Sequence, residues 1–266
     1  MSRDEQPTFA SVGFDIYRRP TRKHEFLRRK NRVIPWEELA KEVQPYYPKQ
    51  EGLGRPAKPL IWMLKLYFLQ LWYGLSDPAT EDQMYDSHAV QEFLGLDLGK
   101  DWPPDETTIC KFRHLLERHR LGEGLFERVK EIHSVEVTAA NVHDSQVVEK
   151  LLHGKEEEVY GDRAYIGQEE KIRARVPKAK IRIERRAVRG HPLSEKQKEK
   201  NRRWARIRCR VEHVFGVIKH VFGWVKVRFR GLAKNRQWAF MMATAVNFYL
   251  ASKLLEKEER LLPESV

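Results

Sequence analysis

The amino-acid sequence predicts an α+β protein, in which an N-terminal helical domain precedes an α/β domain of alternating short strands and helices. Two observations predict this order. Helical spacing of apolar residues dominates the chain up to Gly122 and Gly124, and strand-like alternation begins after them. With 266 residues and 41% hydrophobic content, the chain has material for two ordinary domains. We therefore predict domains at residues 1–130 and 131–266.

The N-terminal domain begins with a basic segment. Arginine and lysine are dense from Arg18 to Arg32, and the aromatic residues Tyr17 and Phe26 lie among them. This composition is typical either of a solvated face or of an arm that contacts phosphates. A polar helix from Trp36 to Val43 should follow.

A continuous apolar segment, Leu60 to Leu75, predicts the helix that anchors this domain. The segment is shorter than the ~20 residues that a bilayer requires, and it contains Lys65 and Gln70. We therefore expect a buried helix from Leu60 to Tyr73 and no membrane partner.

Two further helices are predicted at Glu81 to Leu94 and at Asp105 to His119, the second with Asp105 as its N-cap. The second helix has an apolar stripe of Ile109, Phe112, Leu115 and Leu116, which should leave Lys111 and Arg113 available to solvent. Two short helices of which the second is basic have the outline of a helix-turn-helix DNA reader, although most such pairs bind no DNA.

The second domain should contain three short strands. They are predicted at Ser134 to Thr138, Glu158 to Gly161 and Ala179 to Glu184. Helices should lie between them, one after an N-cap at Asp144 or Ser145 and one at Gly167 to Arg175. This succession of elements predicts an α/β domain.

The segment from Asn201 to Asn235 predicts a helix with one broad apolar face, composed of Val211, Val214, Phe215, Ile218, Val221, Phe222 and Val225. Arg208, Glu212 and Lys219 share a narrow stripe at the margin of that face. Two interpretations of Glu212 are open: an ion pair with Arg208, four residues earlier, or a metal ligand at the edge of the core.

The charge balance indicates a polyanionic partner. The formal net charge is +12, and the densest basic run leads into this helix, at Lys196, Lys198, Lys200, Arg202, Arg203, Arg206, Arg208 and Arg210. Such a run is either a solvated face or a contact to the DNA backbone. The two cysteines, Cys110 and Cys209, lie far apart and predict neither a disulfide nor a thiolate metal site.

Four segments of the chain resemble insertion-sequence DDE transposases of the IS-five type: RCRVEHVFGVIK, YGDRAY, VEVTAANVHDS and PDETTICKFRHLLERH. The resemblance covers most of the chain, although Ala205 stands where a tyrosine is frequent. It implies an RNase H-like second domain, a mixed sheet flanked by helices, in which Asp162 and Glu212 are catalytic carboxylates that bind Mg²⁺ or Mn²⁺. It also implies contacts to double-stranded DNA, the terminal inverted repeats and the target, for which the candidates are Arg203, Arg206, Arg208, Lys219, Lys111 and Arg113.

One part of the family's catalytic domain has no counterpart in this chain. The resemblance places the first catalytic Asp on strands between Leu121–Glu131 and His133–Thr138, yet these two segments are joined directly. Two strands with their connections need roughly twenty residues or more. We therefore predict an internal deletion, an incomplete RNase H-like domain and weak metal binding. Asp144 is a candidate substitute ligand, with a helix N-cap as its alternative role, and we expect His143 to be structural.

These observations predict an insertion-sequence transposase whose DNA cleavage and strand transfer are impaired or lost. The alternatives are a non-catalytic remnant or regulator that binds the terminal repeats, and a basic protein that binds nucleic acid unspecifically. Unpaired strand edges and the apolar segments 224–229 and 238–248 suggest a homo-oligomer, although a core role is the favoured interpretation of the helix 238–248. The first residues carry no signal-peptide pattern, so we expect a cytoplasmic, nucleoid-associated protein.

Overall fold

A computed structural model describes residues 20–48, 56–127, 132–227 and 229–261, with side chains described up to residue 254. The chain divides into two units. One comprises Met1–Glu131 and Asn247–Val266, and the other comprises Ile132–Val246. Residues 247–266, which the sequence assigns to the second domain, thus belong to the first unit. Within the described residues the protein is mostly helical, with one two-stranded parallel sheet in place of the mixed sheet expected.

The helices of the first unit are α1 (Arg22–Val33), α2 (Trp36–Val43), α3 (Leu60–Tyr73), α4 (Asp77–Asp86), α5 (His88–Leu94), α6 (Glu106–Arg118) and α7 (Leu121–Glu127). The elements of the second unit are a 3-10 turn (Asp144–Val147), α8 (Val148–Leu151), β1 (Glu158–Gly161), a 3-10 turn (Arg163–Tyr165), α9 (Glu169–Arg175), β2 (Lys180–Ile183) and α10 (Glu195–Gly216), which continues as a π-helical turn (Val217–Val221). A last helix, α11 (Leu232–Leu261), runs from the second unit into the first.

Helix α3 forms the centre of the first unit, as its composition predicts. Nearly all of its side chains are buried, and the helix ends at Gly74, whose φ of 64° is the left-handed conformation that glycine adopts most readily. Phe68 is fully buried and packs edge-on against Trp36, with ring centroids 5.5 Å apart, and against Phe248, at 5.9 Å. The predicted bounds of this helix and of α2 are confirmed.

The helix predicted from Glu81 to Leu94 is two helices. Helix α4 begins earlier, after the N-cap Ser76, and the chain breaks at Ser87, whose φ and ψ of −115° and 104° are extended. The prediction was wrong because Ser76 binds the Ala79 backbone N–H and starts the helix before the apolar pattern does. Helix α6 confirms its prediction, since the Asp105 side chain accepts a hydrogen bond of 2.7 Å from the Thr108 N–H.

The basic N-terminal segment is only partly a solvated face. Its first residues and Tyr17 lie outside the described residues, and the remainder forms α1 after the N-cap Thr21. Within α1, Lys30 is 1% exposed and donates to the Ser252 hydroxyl of α11, with its ammonium 4.7 Å from the centre of the Tyr249 ring. This lysine therefore ties two helices of the first unit together.

Lys65 is a buried cation in the middle of α3. Its ammonium donates a hydrogen bond of 2.7 Å to the Phe93 carbonyl and lies 5.8 Å from the centre of the Trp36 ring. Burial lowers the pKa of Lys65 to about 8, against a partly opposing effect of the Glu37 charge. The folded protein therefore releases this proton at a lower pH than the unfolded chain does.

Substitution of Lys65 by Met should change how stability depends on pH. Between about pH 8 and 10 the unfolded wild-type chain binds more protons than the folded protein, so its free energy of unfolding should rise with pH, by at most about 3 kcal/mol. In Lys65→Met this contribution should disappear. Denaturant unfolding at several pH values measures the free energy of unfolding of both proteins. The other titrating groups are common to both proteins, so their effects cancel in the difference. Parallel pH profiles would contradict the prediction.

In the second unit, β1 and β2 are parallel, with Gly161 opposite Ile183. Both strands and α9 agree with the sequence prediction to within two residues at each end. A small apolar core packs beneath them, made of Val148, Leu152, Ile172, Val176, Ala179 and Ile183. Because both strands run in the same direction, their carboxyl ends lie at one edge of the sheet.

The strand predicted at Ser134 to Thr138 is absent, since residues 133–139 have no regular structure. Alternation of Val135 and Val137 was insufficient, because a strand also needs a neighbour to accept and donate its backbone hydrogen bonds. The helix cap predicted at Asp144 or Ser145 is His143 instead, whose ring Nδ1 accepts from the Ser145 backbone N–H at 3.3 Å. The structural role expected for His143 is thereby confirmed.

The apolar face of α10 is not the core-facing surface that its periodicity predicts. Val211 and Phe215 are each 54% exposed and Val225 is 73% exposed, whereas Val217 and Phe222 are buried. The prediction was wrong because periodicity shows only that a face is apolar. Within the described part of the second unit, the two-stranded sheet offers no further strand to cover it.

Helix α11 is largely buried between residues 238 and 248, which confirms the core role favoured by its apolar spacing. Its buried side chains include Trp238, Met241, Met242, Ala245 and Phe248. None of the described helices combines the length and the hydropathy needed to cross a membrane.

Candidate active site and nucleic-acid interface

Asp162 lies directly after β1, at the carboxyl edge of the sheet. Its side chain accepts a hydrogen bond of 3.0 Å from the Ala164 N–H and caps the turn Arg163–Tyr165. Gly161 permits this turn to fold back closely, because a Cβ there would lie 3.2 Å from the Tyr165 Cβ and 3.3 Å from Ile183 Cγ1. The Asp162 side chain stays 47% exposed.

Glu184 lies at the corresponding position of the neighbouring strand. It follows β2 directly, and its backbone N–H donates to the Gly161 carbonyl at 3.2 Å. Its side chain is only 11% exposed, and its Oε1 atom is buried without a hydrogen bond. The alternating pattern of residues 179–184 predicts Glu184 at the end of a strand, without a functional role. The available signal was that parallel strands bring their ends to one edge, where ligands bind in α/β sheets.

Helix α10 is fixed to this edge by Asn201. The buried Asn201 amide accepts from the Arg185 N–H at 3.1 Å and donates to the Arg185 carbonyl at 2.9 Å. A capping box between Ser194 and Gln197 begins the helix a few residues earlier. Arg208 lies seven residues after Asn201, which is about two helical turns, and therefore on the same side of α10.

Arg208 joins three carboxylates at this site. Its Nη1 atom lies 3.7 Å from Asp162 Oδ2 and 3.5 Å from Glu184 Oε1, and its Nη2 atom lies 3.4 Å from Glu212 Oε1. The ion pair between Arg208 and Glu212 that their spacing suggested is therefore present. Glu212 is not at a core edge, since its side chain is 65% exposed. The tertiary structure thus gathers Asp162 and Glu212 around one guanidinium and adds Glu184.

The guanidinium determines what the carboxylates can bind. Three carboxylates have the oxygen donors that Mg²⁺ prefers. However, no three acidic, histidine or cysteine side chains of the described residues are arranged to hold a metal ion together. As arranged here, with Arg208 against Asp162, Glu184 and Glu212, the site does not fit a directly ligated divalent ion.

Asp144 is not a partner of Arg208 within the described residues. It is exposed and lies in the electrostatic range of Tyr165, whose pKa is raised by burial and further by the charges of Asp144 and Asp162. The third carboxylate beside Asp162 and Glu212 is therefore Glu184, and the role of Asp144 as a substitute ligand stays a prediction.

The basic run of α10 forms a charged surface beside this site. Its exposed members are Lys196, Lys198, Lys200, Arg202, Arg203, Arg206 and Arg210, and Lys219 of the π-helical turn is exposed as well. Lys198 is paired with Glu195 at 2.7 Å, an exposed pair of small energetic value. A cleft of about 980 Å³ adjoins the surface, lined by Arg163, Arg173, Arg185, Arg186 and Trp204 among others.

The two basic candidates on α6 differ from each other. Lys111 is exposed, as predicted. Arg113 is not, because its side chain is 14% exposed and forms an ion pair with Asp77, itself 19% exposed. The exposure predicted for Arg113 was wrong, since a residue on the flank of the apolar stripe faces α4. Its contact to DNA stays a prediction.

Comparison with known families agrees with this division of the chain. Residues 14–115 match a family described as a transposase domain (DUF772), and residues 124–248 match the transposase DDE domain. No solved structure matches the chain. Transposases bind DNA, and those of the DDE type generally use divalent metal ions. The two matches follow each other over most of the chain, which therefore carries the domains of an insertion-sequence transposase of the DDE type.

Proposed function

We propose that this protein binds the terminal inverted repeats of its insertion sequence and that it cleaves and joins DNA feebly or not at all. The observation that carries the proposal is the position of Arg208 among Asp162, Glu184 and Glu212. The single positive charge of Arg208, which lies on the same helix as Glu212, partly offsets the charges of Asp162 and Glu212, the two carboxylates predicted to be catalytic. In this proposal the site has a basic surface that faces DNA, but Arg208 occupies its catalytic centre.

The deletion explains the missing catalytic group. In this proposal the second unit is an incomplete RNase H-like domain of the IS-five type, from which the strand with the first Asp has been lost between the segments Leu121–Glu131 and His133–Thr138. Two observations support the loss: residues 133–139 form no strand, and the apolar face of α10 at Val211 and Phe215 is exposed. We expect Mg²⁺ or Mn²⁺ to bind weakly as a result.

Binding of duplex DNA rests on the charged surface of α10. Arg203, Arg206 and Lys219 are exposed cations that contact phosphates in this proposal, and Lys111 supplies a contact from the helical first unit. Arg208 and Arg113 can contact DNA phosphates only when their ion pairs with neighbouring carboxylates open. Phosphate contacts position a protein on DNA without reading its sequence, so recognition of the repeats needs base contacts elsewhere. We expect a protein with this activity to be cytoplasmic and associated with the nucleoid.

The test uses a labelled duplex that carries the inverted repeats flanking the gene. A gel shift should show preference for these repeats over a scrambled duplex, and incubation with Mg²⁺ or Mn²⁺ should leave strand cleavage near background. Equal affinity for the scrambled duplex would contradict repeat binding and indicate an unspecific basic protein. Cleavage that Asp162→Ala and Glu212→Ala both abolish would contradict the proposed loss of catalysis.

We also expect a homo-oligomer, held by the exposed apolar face of α10. Val211 and Phe215 lie four residues apart on that face, and a second copy of the chain would remove them from water. Sedimentation velocity should show a dimer or larger species that Phe215→Ser converts to monomer. The matched substitution Leu98→Ser, at a residue 41% exposed in the first unit, should have no such effect. A wild-type monomer at micromolar concentration would exclude this interface.

A further inference from the structure

We infer that the cleft beside α10 binds an unpaired segment of a DNA strand, with one base stacked on Trp204 and the phosphates held by Arg173, Arg185 and Arg186. Such binding rests on the proposed function, because its ligand is DNA, and it deepens that function by naming the form of DNA. The exposed basic run of α10 then contacts duplex phosphates, whereas the cleft takes a single strand.

The walls of the cleft are fixed to one another. Arg185 lies two residues after β2, and its backbone N–H and carbonyl are both bonded to the Asn201 amide of α10, at 3.1 and 2.9 Å. Trp204 follows Asn201 by three residues, which places the two on neighbouring parts of one helix face. Helix α9 carries Arg173 and is anchored in the core by Ile172, which is 1% exposed. The cleft is therefore formed before any ligand binds, as most ligand sites are.

Exposed apolar side chains line the cleft together with the arginines. Val188 is 67% exposed and Ile166 is 47% exposed. A tight turn sets the position of Val188, because the backbone N–H groups of Val188 and His191 each donate to the other's carbonyl, at 3.3 and 2.8 Å. Phosphate groups gain nothing from apolar walls, whereas the face of an unstacked base does.

The charge of the cleft suits the phosphates of a strand. Its charged lining consists of four arginines and two carboxylates, Arg163, Arg173, Arg185, Arg186, Glu169 and Glu184. Arg163 is partly compensated, since its Nε atom lies 3.8 Å from Glu184 Oε2. Within the described residues, the other three arginines form no ion pair with an acidic side chain. A guanidinium without a carboxylate partner is available for a bidentate contact to a phosphate.

The shape of the cleft favours a single strand over a duplex. DNA grooves accept protruding elements such as a helix or a two-stranded ribbon, whereas this surface is concave. Base faces in a duplex are covered by their neighbours, so Trp204 can stack on a base only where the strand is unpaired. The cleft volume of about 980 Å³ lies near the upper end of the range of about 300–1,000 Å³ for sites that enclose small molecules, so a nucleotide unit fits inside.

The test measures the binding of a fluorescently labelled oligothymidylate of about twelve nucleotides by anisotropy, in the full-length protein. We expect Trp204→Leu to bind it at least about fivefold more weakly than the wild type and to bind the repeat duplex with unchanged affinity. Trp204→Phe retains a ring and should recover most of the affinity. The matched control is Trp102→Leu, at a tryptophan 76% exposed in the first unit, which should bind the oligothymidylate as the wild type does.

The double substitution Arg173→Gln and Arg186→Gln tests the phosphate contacts, and it replaces the first test if Trp204→Leu does not fold, since both arginines are exposed. The slope of log K against log salt concentration for the oligothymidylate should fall by about 1.4, because each phosphate contact to a single strand contributes about 0.7. Lys41→Gln with Lys100→Gln removes the same charge from exposed residues of the first unit and should leave this slope unchanged.

Equal affinity of the wild type and Trp204→Leu for the oligothymidylate would overturn the inference, as would an equal loss of affinity for the duplex. An unchanged salt slope in the arginine variant would overturn it as well. The gel shift with the repeats tests the proposed function separately. A protein that prefers the repeats but does not bind the oligothymidylate would support that function and contradict only the role of the cleft.

Discussion

Raising the NaCl concentration from about 50 to about 200 mM should weaken the binding of duplex DNA by at least about a thousandfold. The physical reason is the release of counter-ions from DNA, which each cation that contacts a phosphate causes. The basic surface of α10 exposes seven cations in one run, at Lys196, Lys198, Lys200, Arg202, Arg203, Arg206 and Arg210. Fluorescence anisotropy of a labelled duplex at several salt concentrations measures the dependence.

The same measurement locates the contacts. The double substitution Arg203→Gln and Arg206→Gln should reduce the slope of log K against log salt concentration by about 1.8, since each phosphate contact contributes about 0.9. The control is Lys41→Gln with Lys100→Gln, which removes the same charge from exposed residues of the first unit. Equal losses of slope in both proteins would show that net charge, and not this helix, determines binding.

Replacement of Arg113 by Gln should lower the free energy of unfolding by about 3 kcal/mol. The substitution leaves the Asp77 carboxylate mostly buried, with the Gln70 amide at 2.8 Å as a remaining donor. Loss of one partner from a buried pair is costly because the other charge stays desolvated. Denaturant unfolding measures the loss, and the double variant with Asp77→Asn should recover part of it.

Lys111→Gln is the matched comparison on the same helix. Lys111 is exposed, so its removal should change the free energy of unfolding by no more than about 0.5 kcal/mol while it weakens DNA binding. Folded Arg113→Gln should lose less DNA affinity than Lys111→Gln, because Arg113 can contact DNA only when its ion pair with Asp77 opens. A large stability loss in Lys111→Gln, or a loss of DNA affinity confined to Arg113→Gln, would contradict this assignment of roles.

Local sequence patterns predicted the elements whose stability is local. The apolar helix Leu60–Tyr73, its stop at Gly74 and the N-cap at Asp105 each depend on a few neighbouring residues, and their predicted positions were correct. Both strands of the sheet were also predicted, because alternation and flanking turns identify short strands. Predictions failed where a second element decides the outcome, as for residues 134–138, which have no strand beside them.

Burial is the property that periodicity could not determine. The apolar spacing of α10 and of α11 looks alike, yet Phe215 is exposed and Met241 is buried. A face becomes buried only when another element covers it, and that depends on the whole chain. Arg113 illustrates the same point for a charged residue, because its partner Asp77 belongs to a different helix.

The sequence by itself determined the family and two residues of the candidate site. Asp162 and Glu212 lie in motifs that resemble a transposase, and the spacing of four residues on one helix predicts the contact between Arg208 and Glu212. Only the tertiary structure decided that Glu184 joins them and that Arg208 lies among all three. The register of two parallel strands places the ends of distant segments at one edge, and Asn201 then holds α10 against it. Register and docking depend on contacts between segments, which no local pattern encodes.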